Sequence, residues 1–210
     1  MSALLISFYV MLCVDFLPIL FFLLKRKTIF PNLLIFSFLV SSFLSQIISY
    51  ILFSLHQTTL PLMIVYYILS TFIVIAFYFK NFQLNKISIF TIATLYFLVT
   101  GFFVFKDYHM STFGVISNII CTILSLYALV VSIIKNNKSS SKINFGFTFS
   151  ILFYNSGAIF LFGILPFLTS LTQNFWVMHN IVEMISKLMI SYSVWKSSKM
   201  ILFTAQKEMD

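Results

Sequence analysis

The sequence predicts an all-α membrane protein, a bundle of seven transmembrane helices, and three observations predict it. Hydrophobic residues fill 60% of the 210 positions and charged residues only 9%, against about a quarter charged in an average globular chain. The apolar residues gather into runs of about 20, the length an α-helix needs to cross a bilayer. Short polar connectors separate the runs, and their basic residues alternate between many and few. A mean hydropathy of +1.04 excludes an ordinary soluble domain, whose surface would aggregate. The lipid bilayer is the expected solvent and partner, and the length fits a single domain over 1–210.

In order, the apolar runs are residues 3–24, 33–54, 61–79, 87–105, 112–134, 143–168 and 176–203. The first reads as a retained helix and not a signal peptide, because its basic cluster follows the apolar run and no small-residue cleavage pattern closes it. Lys25-Arg26-Lys27 ends it. Pro31-Asn32 opens the second, since proline is tolerated in a first helical turn. The connectors around His56, between Lys80 and Lys86, and around Asp107-His109 are short. Lys135 to Lys142 is polar and rich in Asn and Ser, a loop composition. Thr169 to Asn174 carries no charge, and the last run passes into Trp195-Lys196 and a polar tail.

Basic residues near span ends are retained in the cytoplasm. Three follow the first run, two the third and three the fifth, and Lys196, Lys199 and Lys207 lie at or beyond the end of the seventh, while the opposite side has only Lys106. The N-terminus is therefore expected outside and the C-terminus in the cytoplasm, in an inner (plasma) membrane. The same asymmetry explains the net charge of +8 without an acidic partner, so nucleic acid is not expected. Cys13 and Cys121 fall inside apolar runs, where a disulfide framework is not expected and burial as small hydrophobes is.

The functional signal is the last run, where Glu183 and Lys187 sit four residues apart in apolar sequence. A charged residue at the centre of a membrane helix costs roughly 2.5–3.5 kcal/mol, and such residues face a protein interior or a wet cavity. His179, Glu183, Ser186, Lys187 and Ile190 share one helical face by their spacing, which predicts that this face points inward. Counting about 1.5 Å per residue from the outer ends, Asp15 and Lys187 reach similar depth. Gln46 with Ser45, Ser70 with Thr71, and Tyr154-Asn155-Ser156 fall near the same level. For Ser, Thr and Gln the ordinary reading is interhelical packing; for Asp15, Glu183 and Lys187 it is a paired functional site. The candidate polar core is Asp15, Asn155, His179, Asn180, Glu183 and Lys187. His56 and His109 are expected to be solvated. No metal is expected, since His179 and Glu183 supply only two ligands, and no glycine-rich phosphate loop or hydrolase motif points to an enzyme.

Three resemblances bear on function. Intramembrane hydrolases with zinc held by histidines on seven helices have a second histidine in the last helix, where this chain has Glu183. Microbial retinal proteins are similar in carrying a carboxylate four residues before the lysine that binds retinal, the spacing of Glu183 and Lys187. They differ in having a carboxylate in the third span, where this chain has Tyr66-Tyr67-Ile-Leu-Ser70-Thr71, and in Trp and Tyr where the sixth span has Phe162 and Leu165. Over most of its length the chain resembles small seven-helix proteins of Bacteroidetes-type bacteria, some encoded beside sensor histidine kinases. Asp15 before Leu17-Pro18, the Phe153 to Phe162 segment and Trp176-Val-Met-His179-Asn180-Ile181 carry that resemblance, although those proteins tend to have Asn at the Lys187 position. It implies a sensory or signalling accessory protein with a membrane partner such as a histidine kinase. The expected function is a receptor-like sensor of a small apolar ligand with no cofactor. The alternatives are a small-solute or proton-coupled transporter, with Pro18 and Pro166 as potential helix breaks, and a retinal-binding photoreceptor through Lys187.

Overall fold

The computed structural model describes residues 3–25, 29, 31–82, 91–92, 94–96, 98, 110–134, 142–164 and 172–207. Its helices are α1 (Ala3–Leu24), α2 (Leu33–Ser54), α3 (Leu60–Phe82), α4 (Met110–Ile134), α5 (Lys142–Ile164) and α6 (Thr172–Lys207). No strand occurs among the described residues, and those between 91 and 98 are also helical. Most of the expected fourth span, Pro166, His109 and the 135–141 connector lie outside them. The first two expected spans coincide with α1 and α2, while α6 starts before and ends after its expected limits.

Five of the helices are long and apolar enough to cross a membrane: Leu5–Leu24, Leu33–Ser54, Pro61–Phe82, Gly114–Ile134 and Ile143–Leu161. The outward faces suit lipid, with Leu44, Val65, Ile123, Phe160 and Leu188 all exposed. The chain is thus a membrane protein. Helix α6 is not among the five, because His179, Asn180, Glu183 and Lys187 make its middle too polar to span alone and leave it dependent on its neighbours.

Successive helices pack as a closed ring: α1 on α2, α2 on α3, α3 on α4, α4 on α5, α5 on α6, and α6 back on α1. Hydrogen bonds give the directions. Tyr9 Oη lies 2.8 Å from Tyr50 Oη, so α1 and α2 are antiparallel. Asn180 donates to Ser7 Oγ at 3.0 Å, and Lys25 donates to the Trp195 carbonyl at 3.3 Å, so α1 and α6 run parallel. Helices α3 and α4 are also parallel, because Gly114 abuts Tyr67 while the Tyr78 hydroxyl meets Ser125 Oγ at 2.7 Å. Buried Tyr96 reaches both helices, donating to the Tyr67 carbonyl at 3.3 Å and bonding Ser117 Oγ at 3.0 Å.

The two ends of the ring are filled differently. Where α1, α3, α4 and α6 end, the interior is dry: Phe22, Phe38, Val74, Leu124, Phe147 and Val194 form one buried cluster. Phe147 stands edge-on to Phe77 and Phe38, with centroids 4.7 and 5.4 Å away, the geometry aromatic quadrupoles favour. Where those helices begin, the interior is polar and partly hollow. Small residues seat α5 on α6: a Cβ at Gly157 would lie 2.8 Å from Val182 Cγ1, one at Gly146 would run into Ser193, and Ser150 Oγ donates to the Ser186 carbonyl at 2.7 Å.

Helix α2 stops at His56, which takes a left-handed φ of 55°. Gln57 N–H reaches the Leu52 carbonyl at 2.9 Å and His56 N–H the Phe53 carbonyl at 3.1 Å, a Schellman termination with histidine where glycine is usual. Two expectations are corrected. Cys13 is exposed while Cys121 is buried. Ser156 faces outward and does not join the polar belt. Helix α1 continues through Pro18 without a break.

Candidate functional site

Helix α6 turns one face into the ring: His179, Glu183, Ser186, Lys187 and Ile190 are all buried, as their spacing requires. Helix α1 brings Asp15, 1% exposed, to the same level. Lys187 Nζ stands 4.0 Å from Asp15 Oδ1 and 3.8 Å from Glu183 Oε1. Both acids therefore lie beyond the roughly 2.7–2.9 Å of a charge-assisted hydrogen bond. The short bond of the ammonium goes to Ser42 Oγ at 2.6 Å, and the Phe38 ring lies 5.6 Å away on the dry side.

Helix α2 supplies a polar stripe that faces these charges. Ser42, Ser45, Gln46 and Ser49 follow i, i+3, i+4, i+7 spacing, which places them on one face. Gln46 Nε2 donates to Glu183 Oε1 at 2.7 Å. The Gln46 carbonyl oxygen and Ser49 Oγ are buried without a hydrogen-bond partner among the described residues, as are both Asp15 oxygens. Buried polar atoms are seldom left so.

Above the charges, toward the end where α1, α3 and α6 begin, lies a cavity of about 180 Å³. Its walls include Phe8, Tyr66, Tyr67, Tyr154 and Trp176. Its polar lining is Ser42, Ser45, Gln46, Ser49, His179, Asn180 and Glu183, and Lys187 is not part of it. The His179 ring is held edge-on by Tyr154 and Trp176 at 5.8 and 5.7 Å, with its Nε2 3.3 Å from the Tyr154 hydroxyl.

Of the six residues expected from the sequence, Asp15, Glu183 and Lys187 form the charge cluster, and His179, Asn180 and Glu183 line the cavity. Asn155 sits apart. Its amide donates to the Ile151 carbonyl at 2.7 Å within α5, and it lines a separate void of about 20 Å³ with Thr71, Ser117, Asn118 and Cys121. Sequence reasoning missed Ser42 and the tyrosines of α3; the helical spacing of the α2 stripe was the available signal for Ser42. No three His, Cys, Asp or Glu residues converge as a metal set among the described residues. No family model, curated protein or solved structure matches the chain.

Proposed function

We propose that this chain is a receptor-like sensor with seven membrane spans, set in a bacterial plasma membrane with its N-terminus outside. It binds a small, largely apolar ligand without a covalent bond. The observation that carries this reading is the cavity: several aromatic walls, a few convergent polar groups and a position between bundle helices are the usual features of a small-molecule site. It lies at the end expected to face outward and is floored by charged groups that tie α1 to α6. A ligand that fits one arrangement of these helices better than another shifts the bundle toward it. The basic end would pass that change to a membrane partner such as a histidine kinase, as the resemblance to small seven-helix proteins implies.

The parallel packing of α3 and α4 supports the seventh span. Two parallel neighbours can be joined only if the chain returns along their length, about 33 Å for 22 helical residues. Helical, buried Tyr96 lies on that return path, between Tyr67 and Ser117. Against the retinal alternative stands the cavity's modest volume and the exclusion of Lys187 from its lining. The transporter alternative gains nothing from α1, which continues through Pro18.

Thermal unfolding of the purified full-length protein in detergent, screened with small, mainly apolar molecules, tests the binding reading. Some are expected to raise Tm saturably, since a ligand at 100 times its Kd adds about 2.7 kcal/mol. Ser45→Phe, which fills the cavity, should abolish the shift while leaving helix content unchanged. Stabilisation that persists in the filled variant would place binding elsewhere and end this reading.

A further inference from the structure

Beneath the cavity, acidic side chains outnumber basic ones. Asp15 and Glu183 are two acids facing one cation, Lys187, and that cation gives its short hydrogen bond to neutral Ser42 while standing 4.0 and 3.8 Å from the carboxylates. Among the described residues, the other titratable groups lining the cavity above the cluster are Tyr66 and Tyr67 of α3, Tyr154 of α5 and His179 of α6; α2 contributes none. Of these, His179 is engaged by Tyr154. With both acids ionised and His179 neutral, the site carries one more negative charge than positive. A buried charge is tolerated in the membrane interior when it is paired.

The unpartnered polar atoms of the cavity wall can accept hydrogen bonds, and one of them, an amide oxygen, can do nothing else. The Gln46 carbonyl oxygen and Ser49 Oγ have no hydrogen-bond partner among the described residues, and both residues line the cavity beside Glu183. An anion there would meet a carboxylate and a carbonyl. A cation would meet complementary charge, and the surrounding Phe8, Tyr66, Tyr67, Tyr154 and Trp176 are the side chains whose ring faces attract alkylammonium groups. The volume of about 180 Å³ limits the occupant to little more than the size of benzene, which fills a cavity of about 150 Å³. We propose that the cavity takes a small organic ammonium ion, its charged head beside Glu183 and its alkyl groups among the aromatic walls. The inference rests on the reading of the cavity as a ligand site and adds the ligand's chemical class.

Choline and its uncharged carbon isostere, 3,3-dimethylbutan-1-ol, separate the two ideas, because they share shape and differ in charge. Both are titrated calorimetrically into the full-length wild-type protein in an uncharged detergent, with sodium chloride at matched ionic strength as a third titrant. Choline is expected to bind about tenfold or more tightly than the alcohol, a ratio in the range of a desolvated cation–π contact. Glu183→Gln should remove that preference. Equal binding of choline and the alcohol would overturn the ammonium proposal and leave the ligand-site reading standing. Binding of sodium as tight as that of choline would overturn it in favour of an inorganic cation. If neither organic probe binds at millimolar concentration, the ammonium proposal falls, and the ligand-site reading is decided by the thermal screen and its Ser45→Phe control. The comparison is made on one unmutated protein, so it does not depend on a variant folding.

Discussion

Lys187 is the residue whose removal should be felt most. It stands between two carboxylates, and replacing it by methionine leaves both in a buried site with no cation. Breaking a buried pair by removing one partner costs about 3–5 kcal/mol, whereas removing both partners can be nearly neutral. Lys187→Met should therefore lower stability by about that amount, and adding Asp15→Asn should recover much of it. Denaturant unfolding in micelles measures both. Additive losses would show that Asp15 and Lys187 do not interact, despite their 4.0 Å separation. The grouping of Asp15, Glu183 and Lys187 was legible in the sequence because charge in a membrane must be matched and helical rise converts position into depth. Ser42 as the lysine's nearest partner was not, because a serine in a membrane helix carries no mark that separates a ligating hydroxyl from a packing one. Asn155 misled for the complementary reason: its depth is right, but its direction around α5 takes it to another void.

Among elements, the seam between α5 and α6 sets where the α6 face points. Gly146 lies in the dry half, away from the cavity, with Ser193 where its Cβ would go. Overpacking of this kind costs typically about 1–3 kcal/mol. Gly146→Ala is expected to lower Tm, and a second change, Ser193→Gly, to restore most of the loss. Failure of the second change to help would mean that the strain lies elsewhere in the seam. Helix limits were readable almost to the residue in α1 and α2 because lipid demands long apolar runs and polar residues end them abruptly. Facing was harder to read. In a helix apolar all round no stripe distinguishes lipid from protein, which is why Cys13 and Ser156 were expected inside and are exposed. Helix α6 is the exception, since its charges leave only one tolerable orientation.

At the scale of the whole molecule, the alternating basic connectors predict which way the bundle faces, with the N-terminus outside. Alkaline phosphatase fused in the Ser54–Leu60 connector is expected to be active, and the same reporter at the C-terminus inactive. Activity at the C-terminus with none in the connector would invert the bundle and put the cavity on the cytoplasmic side. Neither the neighbour order nor the union of α1 with α6 could be read from composition, because nothing in two apolar runs says which will touch. That union bears on how the chain is made. Ser7 and Asn180, which join the two helices, are 173 residues apart. At roughly 5–20 residues per second the ribosome needs on the order of tens of seconds to cover that distance. Throughout that interval Asp15 resides in a newly inserted helix whose lysine has not been synthesised. Until then the carboxyl of the first helix lacks the cation that a buried charge in a membrane needs. The arrival of α6 is what turns a lingering defect of biogenesis into a closed ring.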